Sequence, residues 1–174
     1  MVETTHRRHT PTAQNLGVWR NFVETGDELR ALLAARLQAE SDLSPGDYAV
    51  LLALSEASAK RIRSSELADL VSWERSRLSH HLGRMETRGL IGRQRCADDS
   101  RGSEIVLTDA GAERFRRASA PHLRAVQELF LDALTPELLA SVDEVTRALR
   151  QHLDRSAQWT PPTDDTREES VQQR

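Results

Sequence analysis

The sequence predicts a mainly α-helical chain carrying one small two-stranded β-hairpin, and three observations support that expectation. Apolar residues recur at spacings of three, four and seven along most of the chain, the period of amphipathic helices. Helix start and stop residues stand at the edges of these stretches: Ser44-Pro45-Gly46-Asp47 and Thr135-Pro136-Glu137 at starts, Gly89 at a stop. One short region reads instead as two strands joined by the turn formers Asp98-Asp99-Ser100-Arg101-Gly102.

Asn15 to Ala39 carries Leu16, Trp19, Phe22, Val23, Leu29, Leu32, Leu33 and Leu37 on one helical face, with Gly26 weakening its middle. Ser44 caps a second helix, Pro45 to about Ala57, expected to bury Tyr48, Leu51, Leu52 and Leu54. Ser64 or Ser65 is expected to cap a short helix, Ser65 to Val71, with Leu67, Ala68 and Val71 inward. A tight turn at Ser72-Trp73-Glu74 leads into Arg75 to Arg88, which Gly89 ends. Strands are expected at Leu90 to Arg95 and Glu104 to Leu107. Thr108 caps a long helix from Asp109, which Pro121 should kink or split. The last helix runs from Thr135-Pro136-Glu137 to about Ala157. A short helix, tight turn, second helix and hairpin in this order make a winged helix-turn-helix, with further helices on either side.

A chain of 174 residues is long enough for one domain with its own core. The domain is expected at 14–157, between disordered ends at 1–13 and 158–174; within it, about 45–108 forms the central lobe. No run of about 18 apolar residues is present, and the polar stretch Met1 to Thr12 is not a secretory signal, so a cytoplasmic location without membrane contact is expected. The single cysteine, Cys96, excludes an internal disulfide framework and a cysteine-rich zinc site. No glycine-rich phosphate loop, HExxH or GxSxG motif occurs, so the chain is not expected to be an enzyme or to carry a metal or cofactor.

The net charge of −3 conceals an asymmetry: Lys60 to Gly102 carries +4, leaving −7 for the rest. That basic middle is the electrostatic footprint of a nucleic-acid reader on an otherwise repulsive molecule. On a helical wheel Leu78, Leu82 and Met85 form one inward stripe, and the opposite arc holds Ser76, Arg77, His80, Gly83, Arg84, Thr87 and Arg88. Such a face suits a DNA major groove, where Arg can bond guanine and Ser can reach a base or phosphate. Ser76, Arg77 and His80, near the helix start, are expected at base edges, with Ser79 on the same helix. Arg75 and Arg84 are expected on phosphates. In the hairpin turn, Arg101 is expected to enter the minor groove, with Asp99 fixing its direction and Gly102 completing the turn.

The run Ser65-Glu66-Leu67-Ala68, then Ser76 through Glu86, then Arg88-Gly89-Leu90-Ile91 resembles the helix-turn-helix of MarR (multiple antibiotic resistance regulator) proteins. Asp99-Ser100-Arg101 and Val106 through Gly111 resemble that family's wing and the start of its next helix. The resemblance spans about Asn15 to Ala157. It implies a homodimeric repressor, joined through helices at about 14–40 and 109–157, whose two recognition helices enter successive grooves of a pseudo-palindromic double-stranded DNA operator. It also implies release by a small, often phenolic, effector bound where the dimerisation helices meet the central lobe.

Trp19, Phe22 and Tyr48 are candidates for lining such a pocket, with plain core as the alternative. His81 falls on the flank between the buried and exposed faces, where it would meet phosphate or solvent; sensing of an anionic ligand or of pH is the alternative. Cys96 beside Arg95 is a weak redox candidate. The competing function is a helical ligand-binding or scaffolding dimer that does not use DNA.

Overall fold

The computed structural model describes residues 10–95 and 103–156. The ends at 1–9 and 157–174 lie outside the described residues. So do Cys96 and the whole turn with Asp99, Arg101 and Gly102. The elements run α1 (Ala13–Ser41), α2 (Pro45–Glu56), β1 (Arg61–Arg63), α3 (Ser64–Leu70), α4 (Arg75–Thr87), β2 (Ile91–Arg95), β3 (Ser103–Leu107), α5 (Asp109–Leu129), a 3-10 turn (Leu131–Ala133) and α6 (Pro136–Ser156). Two compact units divide after Phe130.

In the first unit the core is built from Leu43, Val50, Leu51, Leu54, Leu67, Leu78, Leu82, Met85 and Ile105, all fully buried. α2 starts at the Ser44 cap expected from the sequence, and Asp47 completes it as a capping box. The Asp47 backbone N–H donates to Ser44 Oγ at 3.1 Å, and the Ser44 backbone N–H donates to Asp47 Oδ2 at 2.9 Å. α4 ends on a Schellman motif: Gly89, at φ 71°, lets the Leu90 N–H reach Met85 O at 3.0 Å and the Gly89 N–H reach Glu86 O at 2.9 Å. Thr108 caps α5, accepting from the Gly111 N–H at 3.0 Å. Its hydroxyl also lies 2.7 Å from Gly89 O, and so ties the start of α5 to the end of α4. Gly111 is demanded by this junction, because a Cβ there would stand 2.0 Å from the Leu90 carbonyl oxygen.

Several expectations need correction. The sheet has three antiparallel strands in the order β1-β3-β2, not two; β1 pairs Ile62 with Ile105. Arg63, rather than Ser64 or Ser65, is the N-cap of α3, and no side chain caps that helix. α1 begins earlier than expected, because Thr12 caps it by accepting from the Asn15 N–H. Pro121 does not split α5, which runs as one helix from Asp109 to Leu129; the carbonyl that loses its partner belongs to Arg117, an exposed residue, so the loss falls on the solvent side. On α2, Leu52 is exposed and Val50 takes the core position.

α1 buries only Leu37, and leaves Leu16, Trp19, Phe22 and Leu32 open. In the second unit α6 buries no residue at all, and Leu138, Val142, Val145, Leu149 and Leu153 form an exposed stripe at helical spacing. Among the described residues no helix is long and apolar enough to cross a membrane.

Candidate nucleic-acid interface

α3 and α4 meet across a tight turn. Ser72 takes a left-handed conformation (φ 54°), and the Trp73 N–H donates back to Ala68 O at 2.9 Å. This aims α4 so that Leu78, Leu82 and Met85 enter the core, as the wheel required. Arg75, Ser76, Arg77, Ser79, His80 and Arg84 are all exposed. These six candidates therefore share the outer surface of one helix, which the core beneath holds in place.

The arginines are not equivalent. The Arg77 guanidinium carbon sits 4.5 Å from the centroid of the Trp73 ring, a cation–π contact that orients it at the start of α4. Arg84 Nη2 lies 3.0 Å from His81 Nδ1. Arg88, placed on the outer arc by the wheel, turns inward: Nη1 donates to Asp47 Oδ2 at 2.8 Å and Nη2 to Asp42 O at 2.7 Å. It fastens the end of α4 to α2. Arg93, from β2, donates to Ser79 O at 3.1 Å and pairs with Glu86 at 3.1 Å, tying the hairpin to the same helix.

His81 is not on the flank. It is 8% exposed, with its ring edge-on to Trp73 at a centroid distance of 5.1 Å and Nε2 3.0 Å from Asp47 Oδ1. Contact with bulk solvent or a DNA phosphate does not suit a ring so enclosed. Burial pushes its pKa down; Asp47 opposes this, and Arg84 and Arg88 add to it. Arg84 has only donors, so Nδ1 must accept, and the neutral ring then carries its proton on Nε2, which lies 3.0 Å from Asp47 Oδ1 without the alignment of a hydrogen bond. For Asp47, burial alone would raise the pKa. The Ser44 backbone N–H, the Arg88 guanidinium and the Ser44 hydroxyl outweigh it and hold the carboxyl below its ordinary value.

The four effector candidates are not brought together. His81 lines a cleft of about 600 Å³ with Ser44, Gly46, Trp73, Arg77 and Arg84. Tyr48 lines a different one of about 640 Å³, with Leu33, Leu37, Ala49, Leu52 and His122. Trp19 and Phe22 line neither, and are 63% and 58% exposed on α1. His122, which the sequence reading missed, sits 4.5 Å from Tyr48 by ring centroids. Its Nδ1 is buried without a hydrogen-bond partner among the described residues, and burial lowers its pKa. Only its place on α5, one residue after Pro121, could have drawn attention to it.

A family model described as Transcriptional regulator SarA/Rot matches residues 33–117. YdgJ of Bacillus subtilis (strain 168), an uncharacterized HTH-type transcriptional regulator, is 27% identical over 89 residues, a match that spans 51% of this chain and 54% of that protein's length. AbsC, a MarR family transcriptional regulator from Streptomyces coelicolor, is 35% identical, with a TM-score of 0.79 over 84% of this chain and 99% of AbsC. Sco3205, a second MarR family regulator from that organism, whose crystal structure is of a complex with DNA, is also 35% identical. Its TM-score is 0.81 over 85% of this chain and 92% of its own. Identity at this level across nearly the whole of two such regulators, on the same order of helices and hairpin, shows that the chain belongs to the MarR family of transcriptional regulators.

Proposed function

We propose that the protein is a cytoplasmic, homodimeric repressor that reads a pseudo-palindromic DNA site with α4 and is released by a small phenolic effector. The observation that carries this reading is the outer surface of α4, where Arg75, Ser76, Arg77, Ser79, His80 and Arg84 are exposed together above the buried Leu78, Leu82 and Met85. Ser76, Arg77 and His80 approach base edges; Arg75 and Arg84 take phosphates. Arg101, with Asp99 and Gly102 in the turn outside the described residues, reaches the minor groove.

The lobe at about 45–108 reads the DNA, and 14–40 and 109–157 join the two copies. What supports the pairing is the apolar stripe of α6 and the open face of α1, since a monomer rarely leaves so much contiguous apolar surface in water. The two recognition helices then stand about 34 Å apart, one turn of the duplex. For the effector, the apolar cleft of about 640 Å³ beside Tyr48 and the unpartnered Nδ1 of His122 supply walls and one polar anchor.

The test is a mobility shift on the DNA upstream of the protein's own gene, with competitor DNA and a salt series. A saturable shift that survives competitor and falls steeply with salt is expected. Arg77→Ala should cost about 1–3 kcal/mol on the cognate site and relax its sequence preference. Equal losses on cognate and random DNA would remove the base-reading role. Retention of a protein partner with no shift on any promoter would favour the scaffolding dimer.

A further inference from the structure

Two contacts on the inner side of α4 do not belong to the apolar core. Asp47, on the first turn of α2, is 3% exposed and faces His81 Nε2 at 3.0 Å. On the opposite edge of the ring, Nδ1 takes the Arg84 guanidinium at 3.0 Å. The ring thus stands between a fixed carboxylate below and an exposed arginine above. Two neighbours crowd it. Trp73 covers one side, and the backbone of Gly46 comes so close that even a Cβ there would lie 3.1 Å from His81 Cε1 and 2.5 Å from Trp73 Cη2.

The charged groups that face His81 are few. From α2 comes the Asp47 carboxylate, itself bonded to Ser44 and Arg88. From α4 come Arg84 and Arg88, with Arg77 lining the same cleft above Trp73, and the turn before α4 contributes the uncharged Trp73 ring. A second proton on this ring would have to go to Nδ1, the atom that accepts from Arg84. The hydrogen bond would become a donor facing a donor, with two positive groups in contact.

We infer that His81 is a positioning residue for DNA binding: neutral, it holds Arg84 in place on the outer face of α4, and on protonation it lets Arg84 go, so that affinity for DNA depends on pH through this one ring. The inference rests on the reading of α4 as the DNA-binding helix. Its direction follows from preorganisation. A long side chain already held need not be ordered again on binding, and losing that hold weakens binding on the order of two- to tenfold. The effect sets in below the ordinary histidine value of about 6.5, because burial and the neighbouring arginines delay protonation.

The test has two arms. In the free full-length protein, imidazole nitrogen NMR reads the tautomer and titration of His81, and the Arg84 guanidinium signal reports whether it moves with that titration. We expect the Nε2–H tautomer at neutral pH, and an Arg84 signal that shifts as His81 protonates. An Nδ1–H ring, an imidazolium at neutral pH, or an Arg84 signal indifferent to His81 overturns the inference, whatever DNA does.

In the second arm, binding to a random-sequence duplex is followed against pH at constant ionic strength for wild type, Arg84→Ala and His81→Asn. The asparagine oxygen can stand near Nδ1 and accept from Arg84 without titrating. Wild-type affinity relative to either variant should fall two- to tenfold as His81 protonates. Parallel profiles for wild type and Arg84→Ala overturn the inference, and they do so even if His81→Asn folds poorly. Absence of DNA binding by any of the three overturns the reading of α4 and leaves the first arm to decide whether His81 holds Arg84.

Discussion

Asp47→Asn removes one charge from the interior while leaving the side chain's shape almost unchanged. In the native protein Oδ2 accepts from the Ser44 N–H and from Arg88, and Oδ1 faces His81. An asparagine oxygen in the place of Oδ2 keeps both donors, but the bond to Arg88 is no longer charge-assisted. That difference is worth about 1 kcal/mol, at the low end because the Arg88 side chain is 38% exposed. The amide nitrogen now faces the His81 Nε2–H, donor against donor. The ring must adopt its other tautomer and lose Arg84, or keep the clash, at a cost of about 1 kcal/mol either way. Removing a carboxylate from the first turn of α2 costs about 0.5 kcal/mol more. The expected destabilisation is about 2–3 kcal/mol, measured by urea unfolding at fixed protein concentration, since dimerisation couples to stability.

The pH dependence gives the estimate a second check. Both folded pKa values are lowered, so both groups contribute stability that is complete above their unfolded values and is lost as pH falls. For His81 the loss begins below about pH 6.5, and for Asp47 below about pH 3.9. The difference between wild type and Asp47→Asn should therefore persist from pH 7 to about pH 5. It should close only at lower pH, as Asp47 itself becomes neutral. A difference below about 0.5 kcal/mol at pH 7, or one unchanged at pH 3, would refute the account of Asp47 as an ionised clamp.

Gly111→Ala should cost about 3 kcal/mol, because the new Cβ would meet backbone, the Leu90 carbonyl at 2.0 Å, rather than a side chain that can turn aside; thermal unfolding reads this, and an unchanged midpoint would contradict the junction described. Gly89→Ala should cost about 1 kcal/mol, because φ is 71° there while the site itself has open space. Leu149→Arg, in the exposed stripe of α6, should leave helix content intact and shift sedimentation toward the monomer. A dimer of undiminished affinity would exclude that stripe from the interface.

What could be read from the sequence was local. The Ser44-Pro45-Gly46-Asp47 start, the Gly89 stop and the inward Leu78, Leu82 and Met85 each depend on residues within two turns of one another, and each stands where the pattern put it. β1 was not legible. One apolar residue between two arginines shows no period, and only pairing with β3 makes it a strand. The choice of Leu52 over Val50 on α2 failed because Leu52 fits an apolar face with Tyr48, Leu51 and Leu54 about as well as Val50 does with Leu51 and Leu54. The buried Asp47 shows which face turned inward.

His81 was legible in part. At about 100° per residue it falls about 40° from Met85, close enough to the stripe to be buried if something covers it. The cover is Trp73, from the preceding turn, and the ring's partner, Asp47, comes from another helix. Arg88 misled for the same reason, since its partner lies 41 positions earlier in the chain. The candidate effector residues fared worst. An aromatic stripe on α1 does not reveal which side of the helix meets α5, and the polar atom that stands out in that cleft belongs to α5 itself.

These contacts bear on how an effector could act at all. α4 is fastened to the rest of its unit at both ends: the Trp73 ring packs against Gly46 before it, and Arg88 bonds Asp47 and Asp42 O at its end. Both fastenings run to α2 or the loop leading into it. Pro45, Tyr48, Ala49 and Leu52, from the same helix, form one wall of the apolar cleft. A molecule in that cleft therefore touches the element to which the DNA-facing helix is bound, with Asp47 and Tyr48 adjacent in sequence but facing opposite clients. It can change DNA affinity only as far as it prefers one position of α2 over another. A shift from nearly all DNA-competent to nearly all released requires a preference of about 10⁴-fold. Asp47→Asn, which loosens the grip of α2 on α4, should therefore weaken the coupling between cleft and DNA more than it weakens occupancy of the cleft. Measuring effector affinity with and without DNA bound separates the two quantities, and equal coupling in wild type and variant would mean that the signal travels by another route.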